Sequence, residues 1–320
     1  MHLRILLALA LAAAALPAWA QSYPSKPVRV IVTFPPGGTP DIYGRIMSTE
    51  LSKAWNQSVV VENRSGAGGT IGTDFVAKSA PDGYTLLFAA DASITIAPHL
   101  YSKIPYDPQR DFAPIVNVTA GPFVLMANPA FAPNNVKDLI ALVRAQPGKI
   151  SYASSGAGGQ QHLAMESIRA MAGNMDMINI PYKGFGQGIA DVLANQVPLI
   201  FGGITASIQF TRSGKLKALG VTGPKRSKAL PDIPAIAETL PGFDITAWYG
   251  FMAPAGTPRE IVKKIHDDSV TIIRRPDFLE RLDKDGIDPV ANTPEEFAAQ
   301  IKTDLARWAS IVKAAGARLD

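Results

Sequence analysis

Val28-Arg29-Val30-Ile31-Val32-Thr33-Phe34 runs directly into Pro35-Pro36-Gly37-Gly38-Thr39-Pro40-Asp41, after which Ile42, Ile46, Met47 and Leu51 recur at helical spacing. The first seven residues read as a buried strand, the Pro and Gly pairs as a tight turn, and the rest as a helix. Two glycines let the backbone of the turn approach a ligand closely. Thr39 stands where it can cap the helix, with Pro40 at its first position. The free N–H groups of that first turn then face the carboxyl edge of the sheet. Such an arrangement binds an anion without any charged side chain.

The same strand-turn-helix unit repeats outward from this stretch. Val59-Val60-Val61 and Tyr84-Thr85-Leu86-Leu87-Phe88 are strands, with residues 71–78 a helix between them. The pattern restarts with strands at Ile150-Ser151-Tyr152-Ala153, Met177-Ile178-Asn179-Ile180, residues 197–201 and residues 216–221, and helices at 161–171 and 188–193. This βαβα order predicts parallel sheets covered by helices on both faces. Thr246-Ala247-Trp248-Tyr249-Gly250-Phe251 is an aromatic strand placed to return the chain to the first unit. The C-terminal part is helical. Thr257-Pro258-Arg259-Glu260 and Thr293-Pro294-Glu295-Glu296 both read as capping boxes, and Phe297, Ile301, Leu305, Trp308 and Val312 form one apolar face.

Composition narrows the function. The chain has 320 residues, 47% hydrophobic and 18% charged, which suits about two globular domains. The net charge of +4, with no polybasic run, makes no case for nucleic acid. Cysteine is absent, which excludes disulfides, thiolate metal sites and cysteine nucleophiles. Met1-His2-Leu3-Arg4, the apolar run over residues 5–16 and Pro17-Ala18-Trp19-Ala20 have the three parts of a cleavable secretory signal over residues 1–20. A soluble, unanchored periplasmic protein is the expectation.

Two further loops bring glycine-rich backbone to helix starts: Gly66-Ala67-Gly68-Gly69-Thr70-Ile71-Gly72 and, in the second half, Gly156-Ala157-Gly158-Gly159-Gln160-Gln161-His162. If the halves face each other, these helix N-termini converge on one cleft, where the Ser154 and Ser155 hydroxyls add to an anion grip. Pro181-Tyr182-Lys183-Gly184-Phe185-Gly186 also follows a strand and precedes a helix, so it is placed to line that cleft. Neither glycine loop is a nucleotide site. No Gly-Lys-Ser/Thr follows the glycines, and Ile71 stands where a dinucleotide loop needs glycine. No G-x-S-x-G elbow occurs, and His99, His162 and His266 lack metal-ligand spacing. No cofactor and no metal is expected.

The chain resembles the Bug-type substrate-binding proteins of tripartite tricarboxylate transporters. The likeness rests on Tyr23-Pro24-Ser25-Lys26-Pro27-Val28-Arg29 with Phe34-Pro35-Pro36-Gly37-Gly38, then Gly66-Ala67-Gly68-Gly69 with Gly72, and Ala80-Pro81-Asp82-Gly83-Tyr84-Thr85-Leu86-Leu87. In the second half it rests on Ser154-Ser155-Gly156, Gly158-Gly159, His162-Leu163 and Pro181-Tyr182-Lys183-Gly184. The blocks stand in family order across essentially the whole chain after the leader. The resemblance implies a two-lobed α/β periplasmic binding protein that closes on a small carboxylate and hands it to membrane subunits of a transporter. Carried over, the ligand-binding residues are Gly37, Gly38, Thr39 and Asp41 on one lobe and Ser154, Ser155, Gly156, Tyr182 and Gly184 on the other. Gly68 and His162 are added from their places at the two glycine loops, a lone His there being more often structural. Trp248 is either core or pocket wall. Where many relatives carry a polar or acidic residue after the strand ending at Phe201, this chain reads Gly202-Gly203-Ile204-Thr205. That disfavours an amino-acid ligand and points to a dicarboxylate, or to an aromatic acid near Phe185 or Trp248. Lobe 1 is expected over residues 21–120 and 246–320, and lobe 2 over 121–245, in a monomer that catalyses no reaction. A ligand sensor and an exported hydrolase using Ser154, Ser155 and His162 are the alternatives.

Overall fold

Runs of β-branched and aliphatic residues become the strands of the computed structural model, which describes residues 23–319 apart from 155, 157, 158, 174 and 183. The signal-peptide assignment therefore lies outside the described residues. In chain order the elements are β1 (Val28–Val32), α1 (Thr39–Trp55), β2 (Val59–Asn63), α2 (Thr70–Ala77), β3 (Thr85–Ala90), a π-helical turn (Ala92–Ile96) and α3 (Ala97–Leu100). Next come β4 (Phe112–Ala127), α4 (Val136–Ala145), β5 (Ser151–Ser154), α5 (Gln160–Met171), β6 (Ile178–Pro181), α6 (Phe185–Leu193), β7 (Leu199–Gly203), α7 (Ile204–Arg212) and β8 (Lys217–Val221). The chain ends with β9 (Thr246–Pro254), α8 (Arg259–Ile273), α9 (Pro276–Asp285), β10 (Asp288–Pro289) and α10 (Pro294–Ala315).

The strand order β2-β1-β3-β9-β4-β7-β5-β6 has one pivot. Residues 112–122 of β4 pair with β9, whereas Phe123 to Ala127 pair with β7 on one side and β8 on the other. One strand thus belongs to two sheets, and each sheet with its helices is a lobe. Within the lobes the βαβ units are parallel: β1 with β2 and β3, and β5 with β6 and β7. The sheets are nonetheless mixed, not parallel as the βαβα order alone implies. β4 leaves the first sheet for the second and β9 returns, so the two connecting strands run antiparallel to each other and to their neighbours β3 and β7.

Burial follows the patterning. All six residues of β3 and eight of nine in β9 are buried, as expected for strands covered on both faces. One core cluster runs through β4 from Val30 and Phe88 in the first lobe to Leu125 and Tyr152 in the second. A second packs Ile31, Leu87, Trp248, Phe297 and Ile301 beneath α10. Helix α10 is not confined to the first sheet. It packs on β4 and the π-helical turn and also on α5 of the second lobe.

Of the two expected capping boxes, one forms. Thr293 Oγ1 accepts from the Glu296 N–H at 3.2 Å, and Glu296 Oε2 accepts from the Thr293 N–H at 2.9 Å. At the other, Pro258 is the N-cap and the helix starts at Arg259. The Thr257 hydroxyl turns back to the Pro254 carbonyl at 2.8 Å, closing the turn after β9 and leaving nothing for the helix. Replacing a working N-cap by alanine costs about 1 kcal/mol. Thr293→Ala is therefore expected to lower the unfolding free energy by that amount, read as a lower urea midpoint with the slope of the transition unchanged.

Candidate functional site

The loop between β1 and α1 is built around Asp41. Gly37 adopts φ +88°, Gly38 is the N-cap, and Thr39 is the first helical residue. Thr39 is thus not the cap the sequence suggested; extended Gly38 takes that place, and no side chain caps the helix. The Thr39 hydroxyl lies instead against Tyr249. Asp41 reaches back from the first turn. Its Oδ2 accepts from the Gly37 N–H at 3.0 Å, and its Oδ1 from Arg45 Nε at 2.9 Å and Asn63 Nδ2 at 2.8 Å. Asn63 also donates to the Phe34 carbonyl at 3.0 Å and accepts from Arg45 at 2.7 Å. Burial alone would raise the Asp41 pKa, but Arg45, the Gly37 N–H and Asn63 outweigh it and hold the carboxyl below its usual range. The acid therefore fastens the loop to α1 and β2, leaving the first-turn N–H groups without intrahelical partners.

The Gly66–Gly69 segment forms a single tight turn before α2. Gly69, at φ +92°, is its N-cap, and a Cβ there would lie 2.9 Å from Ser93 and 3.1 Å from Thr33 Oγ1. Glycine is required on both counts. Gly68, also at positive φ, is exposed beside Tyr101.

In the second lobe β5 ends at Ser154, which is buried and donates from Oγ to the Gly156 carbonyl at 3.3 Å. Ser155 lies outside the described residues. The Tyr182 N–H donates to the Ser154 carbonyl at 2.9 Å, which sets the β6–α6 loop beside the β5–α5 loop. The Tyr182 phenol donates to Asp191 at 2.6 Å; burial and then that carboxylate push its pKa up to about 12. Gly159 and Gly184 are the N-caps of α5 and α6, again without side-chain caps. His162 faces β5. Its ring stacks on Tyr152, and Nε2 stands 3.5 Å from Glu166, which also accepts from Tyr152 and Arg169.

Trp248 is core, not pocket wall. It is 2% exposed, packs edge-on to Phe297 at 5.0 Å and donates to Asp304 at 2.9 Å. Strand alternation puts it on the α10 face and its neighbour Tyr249 on the α1 face. Gly202 has a packing reason. A Cβ there would meet the Phe185 ring and Ser207 Oγ, both at 2.5 Å. The half-buried Phe185 ring thus occupies the space that a side chain at position 202 would need.

The lobes meet where these loops do. A Cβ on Gly203, at the end of β7, would stand 3.3 Å from Thr39 Oγ1 at the start of α1. Nearby, Gln160 at the start of α5 donates to Asp91 Oδ2 at 2.5 Å. Asp91 follows β3 directly and is fully buried; burial and then the Asp304 carboxylate push its pKa well above the usual range. The Tyr249 phenol senses the Asp91 charge. The starts of α1 and α5, one from each lobe, are therefore linked through Tyr249 and Asp91. Sequence reading missed Asp91, Gln160 and Tyr249 as a group. The signal for Asp91 was its place at the carboxyl end of a parallel strand, where open α/β sheets present ligand sites.

Comparison with known proteins agrees with this architecture. Residues 43–317 match the model of the tripartite tricarboxylate transporter family receptor, TctC. The chain is 36% identical to the protein BugT of Bordetella pertussis, over 97% of this chain and 96% of the relative. Its fold superposes on R. palustris Rpa4515 with adipate at a TM-score of 0.87 and 31% identity, covering 93% of this chain and 100% of that one. MatC from Rhodopseudomonas palustris with bound malate gives 0.82 and 30%, covering 91% and 100%. From the joined α/β lobes, the glycine-capped helix starts and these matches together, the chain belongs to the tripartite tricarboxylate transporter receptor family of periplasmic solute-binding proteins.

Proposed function

We propose that this protein captures a small dicarboxylate between its lobes and delivers it to the membrane subunits of a tripartite tricarboxylate-type transporter. The observation that carries the reading is the approach of two helix N-termini, α1 and α5, from opposite lobes onto one junction. Each end is capped by glycine, which offers no side chain to the first turn. A carboxylate held at such an end gains roughly 0.3–1 kcal/mol per helix, more when desolvated. Two carboxylates on one small molecule suit two such ends, and relatives bound to adipate and to malate support the class.

In this reading the backbone of Gly38 and Thr39, the Thr39 hydroxyl and the exposed turn at Gly68 face the ligand from lobe 1, and Gly37, its N–H held by Asp41, shapes the turn. The Ser154, Ser155 and Gly156 turn, with Tyr182 and Gly184, faces it from lobe 2. Phe185, laid over Gly202, offers the apolar middle of the ligand a surface. Asp41 works by holding the loop. His162 and Trp248 are taken by their own neighbours and leave the ligand set. The lobes comprise residues 21–120 with 246–320, and 121–245; this division is supported by the change of sheet after Pro122 and the start of β9. The protein is exported on residues 1–20, acts as a monomer by hinge closure and catalyses nothing.

Protein stripped of ligand by unfolding and refolding should show a thermal shift with adipate, malate or an aromatic acid, and none with the corresponding amides. Ligand at 100 times its Kd stabilises by about 2.7 kcal/mol. A shift with neutral analogues alone would overturn the carboxylate reading. Asp41→Asn is expected to weaken binding about tenfold by calorimetry, because the loop loses its charged anchor. The pKa of Asp41 is lower folded than unfolded, so its stabilisation is complete above the unfolded value of about 3.9. That stabilisation is lost as pH falls through the folded value, and acid titration of stability should lose this step in the variant.

A further inference from the structure

We propose that Gln160 and Asp91 form a latch between the lobes, made only when they close, which governs how long a ligand is retained. This rests on the closure just described. Asp91 is anchored in lobe 1: its Oδ1 accepts from the Ala92 N–H at 2.9 Å, where the π-helical turn begins. Its Oδ2 accepts from Gln160 Nε2 at 2.5 Å, and Gln160 is the first residue of α5 in lobe 2. Both side chains are out of solvent, Asp91 at 0% and Gln160 at 8% exposure. The charged and titratable groups facing Asp91 from the elements around it are Asp304 and Arg307 of α10 and Tyr249 of β9. Asp304 is already held by Trp248 at 2.9 Å and Arg307 at 3.3 Å.

The closed junction therefore leaves Asp91 Oδ2 dependent on the Gln160 amide. A buried acceptor that loses its partner carries the full desolvation penalty. Opening the lobes relieves that penalty by admitting water, so without the amide the open state is favoured. The amide is neutral, which lets the latch form without adding charge to the cleft. Its place at the first position of α5 also fixes where the start of that helix points.

The chain has no cysteine, so two exposed positions, Thr49 on α1 and Ala141 on α4, can carry spin labels after Thr49→Cys and Ala141→Cys. Pulsed electron resonance then reads the inter-lobe distance of the full chain, with and without adipate, at pH 8 and pH 5. The labelled parent should populate a short distance. Gln160→Ala should shift that population to longer distances at both pH values and speed adipate release at least tenfold. Gln160→Glu, equal in size, sets a second acid against Asp91, so that closure needs a proton shared between the two. It should be open at pH 8 and closed again at pH 5, where one acid carries a proton to donate. Recovery at pH 5 also shows that this variant is folded. If both variants keep the parent distances at both pH values while adipate still closes the parent, the latch is wrong and the binding function stands. If the variants open as described but no carboxylate alters the parent, the latch stands and the carboxylate reading falls.

Discussion

Everything in this molecule hangs on one hydrogen-bonded ribbon. β4 spends its first eleven residues beside β9 and its last five between β7 and β8. Because both ladders share one strand, the two sheets are joined along that line. The apolar core follows the same path, passing through β4 from one lobe to the other. The chain crosses back just before β9, where the Ile245 N–H donates to the Thr222 carbonyl at 2.9 Å, and α10 makes a third contact, against α5. The lobes are thereby joined at the back, and the opposite side is left for the strand ends that carry the loops.

The loops use backbone chemistry where charged side chains would otherwise be needed. Helix starts at α1, α5 and α6 are all capped by glycine, which makes no side-chain cap. A serine or aspartate cap would satisfy those N–H groups internally and spoil them for a ligand. The charged residues of the first loop stand behind it. Asp41, Arg45 and Asn63 bond one another and the loop backbone, so their charges set its shape. Asp91 is the exception: an acid at the junction itself, its oxygens filled by Ala92 and Gln160 while burial favours its neutral form.

Local signals were read correctly where they compete with nothing. The strand read over residues 28–34, which the structure ends at Val32, the turn at Gly37-Gly38, the glycine loop at 66–69 and the apolar face of the last helix are each set by their own residues. They fail where a side chain has two local partners within reach. Thr257 chose the Pro254 carbonyl over its helix, and Thr39 became the first helical residue because Gly38 took the extended conformation first. Such choices differ by about 1 kcal/mol, within what tertiary packing adds or removes.

By itself the sequence determined the α/β units, the glycine-rich helix starts and the family, because periodicity, turn residues and motif order are local and additive along the chain. Tertiary structure alone decided which of the named residues meet. It put Trp248 and His162 among core partners, laid Phe185 over Gly202, and brought Asp91 to Gln160 across 69 positions of chain. Long-range pairing depends on the register of β4 between two sheets and on burial that no single segment encodes. The physical reason is that a contact between lobes stabilises only after both lobes exist.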